Sequence, residues 1–399
     1  MIKHFFLTIV ASLFLSSVLF GDIEKVWERS LSEVFPDPKQ PHSHEPLSPS
    51  FYPALVNNHL ILGSQDGRVK GINIYDQSIK NIIFLPLTIS EVTSYPKNHC
   101  VFKGRHKLTN KLYYCSVNVH HNRMRGVLHH DGPMIPFKDW GVFEKSYTLY
   151  VFNPDKGKTI YRQESPRDIV KPVFTPEKKT LFLTSKGEIT QLILPKFGGS
   201  YLTMSNRKKK REILKFKSIA TLDPDMVADT LYKNTLYYHR KNGEIGVMNI
   251  QSKKILWERT YFKKGMTIKG PFIYKGLLYY LVSYPKSNKK KIGSGKLIAL
   301  DPKNGISKWV SKDLPFQNFG IVQFGQAIVS TDDTGNLLFL DLKTGEIRAQ
   351  HHVGNGVTKP TVNGNLMFVL TADKVIQFKD TSVLLQLKLW LLELKKKLT

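Results

Sequence analysis

The chain has 399 residues but only two cysteines, Cys100 and Cys115. No cysteine follows the apolar N-terminal run, so we expect no lipid modification at an N-terminal cysteine. In an oxidising compartment the two thiols are a candidate disulfide, and two reduced thiols are the alternative. Spacing along the chain does not decide between them, because a bridge depends on geometry.

Acidic residues are also scarce. Aspartate and glutamate together number 32 against 59 lysines and arginines, which gives a net charge of +27. Basic runs stand at 207–211, 286–291 and 395–397. In an exported protein this charge favours contact with an anionic membrane surface, and no aromatic residue interrupts the first two runs to stack on nucleic-acid bases. We therefore expect no nucleic-acid partner, and solvated lysine-rich loops are the alternative.

Long apolar runs are missing except at the start of the chain. Residues 5–21 are uncharged and follow Lys3, which is typical of a signal peptide over residues 1–21 and predicts export to the periplasm or envelope. This run of 17 residues is near the lower limit of a membrane span of about 20 residues, so an uncleaved anchor is the alternative. Nucleotide-binding P-loop, HExxH and nucleophile-elbow motifs are absent as well.

What the sequence does contain is a repeat. In several segments an alternating apolar run ends at Asp or Asn, passes a bend, and resumes with an aromatic residue eight positions later, as in Asp301 to Trp309, Asn249 to Trp257 and Asn153 to Tyr161, and the first and last of these bends contain Gly. Alternation on both sides of such a turn predicts a β-hairpin, and a second strand pair precedes each hairpin. Four strands per unit of about 40 to 50 residues predict an all-β propeller of four-stranded antiparallel blades.

Residues 295–309, "GKLIALDPKNGISKW", place Gly, Ala, Asp, Gly and Trp at the spacing of the PQQ-like β-propeller repeat, and residues 26–379 resemble this family. The resemblance implies that Trp257 and Trp309 dock on the neighbouring blade, with Trp27 in the same role. Tyr161 and Ala349 stand where the repeat has tryptophan and imply altered contacts.

The chain ends imply closure of a ring. "VWERS" at 26–30 copies "LWERT" at 256–260, whereas the last unit, from Pro360, supplies only three strands. We expect the N-terminal strand to complete it, so that the propeller covers residues 22–379. Units that begin near Pro53, Glu91, Pro172, Leu222, Pro271, Phe319 and Pro360 predict seven blades, or eight if the long second unit with its divergent insertion, 91–141, holds two.

Residues 380–399 follow the last repeat strand. Leucines at 384, 387, 391, 394 and 398 would lie on one side of a helix. The spacing predicts a C-terminal amphipathic helix that docks on the propeller, in a partner's groove or on a membrane surface.

The sharpest cluster of chemical groups is His120, His121, His129, His130 and Asp131. Imidazole and carboxylate groups bind Zn²⁺ and Cu²⁺. Adjacent histidines in a strand point to opposite faces, so at most one of each pair could join a common site. A polar loop is the alternative, and we predict no metal site and no catalytic residue.

The resemblance leaves two classes of function. Quinoprotein dehydrogenases bind pyrroloquinoline quinone and Ca²⁺, whereas the BamB-like branch acts in outer-membrane assembly without a cofactor. Many of the dehydrogenases have adjacent cysteines, which this chain lacks, and the sequence shows no compact acidic cluster for Ca²⁺. We therefore predict a non-catalytic interaction scaffold of the bacterial cell envelope, with no cofactor and with envelope proteins such as the outer-membrane assembly machinery as partners. A PQQ-dependent dehydrogenase and a periplasmic ligand- or polysaccharide-binding propeller are the alternatives.

Overall fold

A computed structural model of the chain describes residues 23–36, 53–132, 134–137, 140–145, 148–164, 171–174, 181–185, 187–193, 215–232, 234–240, 242–263, 266–284, 294–315, 321–332, 334–358 and 360–381. The predicted signal peptide, the three basic runs and the predicted C-terminal helix from residue 382 onward lie outside the described residues. None of the helices formed by the described residues has the length and apolar content that a membrane span requires.

Eight antiparallel sheets account for the described strands. The chain enters through β1 (Ile23–Ser30) and a short helix, α1 (Leu31–Val34). Sheet 1 consists of β2 (Ala54–Val56), β3 (His59–Gly63), β4 (Arg68–Asn73) and β5 (Ile79–Phe84). Sheet 2 consists of β6 (Leu87–Tyr95), β7 (His99–His106), β8 (Leu112–Asn118) and β9 (Arg123–His129). Sheet 3 consists of β10 (Ile135–Phe137), β11 (Trp140–Lys145), β12 (Thr148–Asn153) and β13 (Lys158–Glu164).

The second half of the chain continues the same pattern. Sheet 4 consists of β14 (Lys171–Phe174), β15 (Leu181–Ser185), β16 (Glu188–Ile193) and β17 (Lys215–Thr221). Sheet 5 consists of β18 (Met226–Tyr232), β19 (Thr235–Arg240), β20 (Glu244–Asn249) and β21 (Lys254–Thr260). Sheet 6 consists of β22 (Thr267–Tyr274), β23 (Leu277–Ser283), β24 (Ser294–Leu300), β25 (Ser307–Val310) and β26 (Leu314–Pro315). Sheet 7 consists of β27 (Val322–Phe324), β28 (Ala327–Thr331), β29 (Asn336–Asp341) and β30 (Ile347–His352). Sheet 8 consists of β31 (Thr361–Asn363), β32 (Leu366–Leu370), β33 (Lys374–Asp380) and β1.

Burial follows the strand order within a sheet. Second strands such as β23 and β28 are buried along nearly their whole length, and their aliphatic, aromatic and β-branched residues suit a strand covered on both faces. Fourth strands such as β21 and β30 are exposed along most of their length. Apolar clusters fill the spaces between successive sheets, for example between sheets 5 and 6 and between sheets 6 and 7.

The turns between third and fourth strands form as the sequence predicts. The Asp301 carboxylate accepts the backbone N–H of Lys303 at 2.9 Å, and the Asp301 carbonyl accepts that of Gly305 at 2.8 Å. Gly305 has a φ of +71°, a region that glycine enters without a steric penalty. Asp301 therefore shapes the bend.

The N-terminal strand pairs where the sequence places it. β1 runs antiparallel to β33, with Trp27 opposite Gln377 and a bulge between Lys25 and Trp27. Fourth strands β21 and β25 have the same bulge next to Trp257 and Trp309. The first strand of sheet 8, β31, contacts the first strands of sheet 7 and of sheet 1.

The long second unit of the sequence contains two sheets. Predicted to begin near Glu91, it comprises sheet 2 and sheet 3, and the divergent segment 91–141 forms strands of both. The other predicted units begin within four residues of the first strand of a sheet.

Tryptophan side chains on the fourth strands join one sheet to the next. The indole N–H of Trp257 donates to the carbonyl of Pro302 at 2.9 Å, and that of Trp309 donates to the carbonyl of Leu342 at 3.1 Å. Each ring lies on the glycine of that turn, since a Cβ built on Gly305 would be 2.5 Å from the Trp257 ring.

Replacement of Trp309 by alanine tests this joint. Trp309 is 9% exposed within the cluster between sheets 6 and 7, so we expect Trp309→Ala to lower the free energy of unfolding by about 3 to 5 kcal/mol. The control is Val310→Ala. Val310 is next along the strand and 46% exposed, so we expect this substitution to change the free energy of unfolding by less than about 0.5 kcal/mol. Urea denaturation followed by circular dichroism measures both, and equal losses would contradict this role of the indole.

Candidate functional site

Four ion pairs converge on Arg240, at the end of β19. Its guanidinium lies 2.6 Å from carboxylate oxygens of both Glu258 and Asp225 and 3.0 Å from Asp223, and its Nε lies 3.6 Å from Glu244. We call these five residues the Arg240 cluster. The loop before β18, the end of β19, the start of β20 and β21 contribute to it, so the strand register of sheet 5 brings it together.

The Arg240 cluster has more negative than positive charge. Burial disfavours the charged guanidinium, but the hydrogen bonds to Glu258 and Asp223 and the negative charges of Glu258 and Asp225 together outweigh burial and raise the pKa of Arg240. The Tyr238 hydroxyl donates to Glu258 at 2.9 Å, and burial followed by this bond raises the pKa of Tyr238. Four carboxylates thus face one cation in a chain whose overall charge is +27.

The sequence contains no compact acidic run, since its acidic residues are spread among turns such as "TLDPD" at 221–225. The antiparallel register instead brings residues from four separate segments to one point. The carboxylates of Glu258, Asp225 and Asp223 already accept hydrogen bonds from Arg240. No group of three or more histidine, cysteine or acidic side chains suited to a metal ion occurs in the described part of the chain. The carboxylates of the Arg240 cluster therefore do not fit a Ca²⁺ site.

An aspartate and a histidine contact each other between the first two strands of the same sheet. Asp229 is the extra residue of a bulge in β18, and its side chain is 5% exposed. Its carboxylate lies 2.8 Å from Nδ1 of His239. The pair joins β18 to β19 at a bulge, where the strand ladder is interrupted.

The histidine-rich segment does not converge on one point. His120 and His121 lie in the turn before β9, with ring centroids 4.8 Å apart, whereas His129 and His130 stand at the far end of β9, roughly 20 Å away at about 3.3 Å per residue. His129 lies 3.7 Å from Asp131. The His130 ring is 2% exposed and packs 4.2 Å from the ring of Phe143.

The other residues predicted at the blade-docking position lie in different surroundings. Trp27 belongs to the apolar cluster that includes sheet 1, and its indole nitrogen has no acceptor among the described residues. Ala349 packs against the cluster between sheets 7 and 8. The side chain of Tyr161 lies outside the described residues.

Cys100 and Cys115 are buried free thiols on neighbouring strands. Cys115 pairs with Phe102 and Cys100 with Val117, so the two are diagonal neighbours in the register. Such neighbours lie roughly 7 to 8 Å apart, whereas a disulfide joins Cα atoms about 4.4 to 6.8 Å apart. Burial raises the pKa of Cys100, and it raises that of Cys115 to about 12.

The comparisons with known proteins agree with this architecture. The family described as outer membrane protein assembly factor BamB matches residues 230–355. The crystal structure of BamB from Moraxella catarrhalis is similar, with a TM-score of 0.58 and 15% identity over 90% of this chain and 100% of that chain. The PQQ-like repeat and its resemblance to the BamB-like branch are thus confirmed, and the fold is a β-propeller whose described residues contain almost no helix.

Two other solved structures share the fold. The computationally designed Ika8 protein has a TM-score of 0.57 and 12% identity over 85% of this chain and 98% of its own. A quinohemoprotein alcohol dehydrogenase from Pseudomonas putida has a TM-score of 0.55 and 11% identity over 91% of this chain and 77% of its own. No curated protein matches the chain in sequence. At identities this low, structural similarity establishes the fold alone, and the activity has to be argued from the residues.

Thiol reactivity tests the placement of the cysteines. We expect neither thiol to react with an aromatic disulfide reagent in the folded protein, because the thiolate is the reactive form and a raised pKa suppresses it. The folded state favours the protonated thiol, so the contribution of Cys115 to stability is present below its ordinary pKa of 9.0 and is lost as the pH rises towards about 12. Unfolding in guanidinium should release both thiols. Rapid labelling of the folded protein, or no labelling after unfolding, would contradict this placement.

Proposed function

We propose that the chain is an exported, non-catalytic interaction scaffold of the bacterial cell envelope that acts in outer-membrane protein assembly. The observation that carries the proposal is the similarity to BamB from Moraxella catarrhalis over the full length of that chain, together with the family match at 230–355. That match contains most of sheet 5 and all of sheets 6 and 7, and Arg240, Glu244 and Glu258 lie within it.

The eight sheets are, in this proposal, the blades of one ring closed by β1. Sheet 8 supports closure, because it combines strands from both ends of the described chain and its first strand contacts those of sheets 7 and 1. Closure pairs strand edges that would otherwise be open to other chains. A ring presents its turns on two faces as rigid platforms, which suits a scaffold.

The Arg240 cluster is the surface that we assign to a protein partner. Asp223 is 62% exposed and Asp225 is 45% exposed, so their carboxylates face solvent although both contact Arg240. A basic partner surface would meet excess negative charge at this cluster. The rest of the chain is basic and would repel such a surface, so the cluster favours binding at this point. Complementary charge of this kind contributes mainly to specificity and to the rate of association.

Affinity purification from crosslinked envelopes tests the role. We expect the wild-type chain to recover components of the barrel-assembly machinery, and Asp223→Lys with Asp225→Lys to reduce recovery about tenfold, because the reversed charges repel a basic partner. The control, Asp313→Lys, reverses an aspartate that is 65% exposed on sheet 6. Thermal melting of each variant checks the fold.

The outcomes separate the role from the surface. If the wild-type chain recovers no assembly component, the proposed role is wrong. If both variants recover as much as wild type, the role stands and the partner binds elsewhere.

A PQQ-dependent dehydrogenase is the second candidate, favoured by the similarity to the alcohol dehydrogenase from Pseudomonas putida. After reconstitution with pyrroloquinoline quinone and Ca²⁺ we expect no dye-linked oxidation of alcohols or sugars above a quinone-free control. The reason is that the described residues offer no set of carboxylate oxygens free for Ca²⁺. Quinone-dependent turnover would overturn the scaffold proposal.

A further inference from the structure

An open depression with a volume of about 340 Å³ lies where sheet 2 meets sheet 3. Its lining consists of Arg123, Met124, Arg125, Asp155, Lys156 and Lys158, and four of these six residues are cationic. The first three stand at the start of β9, Asp155 and Lys156 belong to the turn between β12 and β13, and Lys158 begins β13. We call it the basic depression.

The fold holds these cations together through an unusual joint between two sheets. In the strand register Gly126 occupies the place that Trp257 and Trp309 occupy in their own sheets, next to the bulge of the fourth strand. A Cβ on Gly126 would lie 1.9 Å from the carbonyl oxygen of Gly157, so the two backbones are in direct contact. Because no indole ring separates the two backbones, the turn that contains Lys156 and leads into Lys158 packs directly against β9.

A hydroxyl group makes the hydrogen bond that the indole makes elsewhere. Ser116 donates to the carbonyl of Pro154, the residue after the turn asparagine. Trp257 donates to Pro302, which also follows the turn residue. The joint between sheets 2 and 3 therefore uses the equivalent backbone carbonyl as hydrogen-bond acceptor but contains no indole ring. The position of the cations is fixed by backbone contact and by this bond.

The charges in the basic depression are not balanced within the described residues. Arg123, Arg125 and Lys158 have no acidic partner there. The one carboxylate, that of Asp155, lies 3.6 Å from Lys97 and 3.6 Å from His99. Like charges that the backbone forces together repel one another, and a bound anion would relieve that repulsion.

From this geometry we infer that the basic depression binds a phosphate-bearing anion, either the headgroup of an anionic lipid or a free phosphate compound. Arginine forks bind phosphate oxygens in pairs, and lysine adds a point charge. A ligand with a single carboxylate could not balance Arg123, Arg125 and Lys158 together, whereas a diphosphate carries several negative charges. Met124, which is 44% exposed, offers an apolar contact for the carbon atoms of a headgroup. This inference does not depend on the proposed role in assembly.

The test compares two double variants of the full-length chain that lower the net charge equally. Arg125→Gln with Lys158→Gln removes two cations from the basic depression, and Lys303→Gln with Lys312→Gln removes two exposed lysines from sheet 6. Calorimetric titration with sodium diphosphate measures binding of the free anion. We expect the first variant to bind at least about tenfold more weakly than wild type and the second to bind like wild type.

A second arm identifies the source of the phosphate. Vesicles of phosphatidylcholine with or without phosphatidic acid are sedimented with each protein. If a lipid headgroup is the ligand, the acidic vesicles carry down wild type, diphosphate competes, and only the depression variant is impaired. If the ligand is a free phosphate compound, diphosphate binds and the vesicles do not.

Three results would overturn the inference. Diphosphate and acidic vesicles could both fail to bind wild type. Both double variants could lose binding equally, which would show that net charge alone is responsible. A single-stranded DNA oligonucleotide could displace diphosphate and require Arg125 and Lys158, which would assign the basic depression to nucleic acid.

Discussion

The fold depends on one contact between sheets, in which the residue beside the bulge of a fourth strand packs on the glycine turn of the next sheet, as Trp257 packs on Gly305 and Trp309 on Gly345. A four-stranded sheet alone leaves apolar faces exposed, and the clusters between successive sheets cover them. The bulge aims the side chain across the gap, and the turn glycine leaves space for it. Because Trp257 and Trp309 each combine a buried ring with a directional hydrogen bond, the contact fixes both the spacing and the rotation of neighbouring sheets. This contact therefore also sets the positions of the turns that it holds.

Variation in this contact creates local differences on a repetitive scaffold. Where the ring is present, the sheets are separated by the thickness of an indole. Where Gly126 replaces it, the backbones touch and cations from two sheets become neighbours. The Arg240 cluster arises differently, within a single sheet, because the register of four segments brings its carboxylates to one end. Its position, like that of the basic depression, depends on rigid strands and short turns.

Sequence periodicity predicted the strands, the turns and the pairing of β1 with β33, because the repeated "WER" segment and the Asp-to-Gly turn have local signatures. It left open whether the long second unit holds one sheet or two, because the signature is absent from sheet 2. The turn before β9 has Asn122 at a φ of +51° where sheets 3, 6 and 7 have glycine, and Gly126 has no aromatic ring to mark the strand. Both charged sites were missed for a related reason. Their residues are scattered along the chain and meet only through register, whereas the basic runs that stood out in the sequence lie outside the described residues.

The two charged sites stand at opposite ends of their respective sheets. The Arg240 cluster lies where second and third strands meet, and the basic depression lies where third and fourth strands meet. In a propeller these two kinds of turn belong to opposite faces of the ring. If the sheets close as proposed, negative charge on one face would meet a basic protein while positive charge on the other would meet phosphate. The same joints that stabilise the fold would then orient the scaffold between a protein partner and an anionic surface. Tight joints suit this arrangement, because a rigid ring keeps the two sites at a fixed separation.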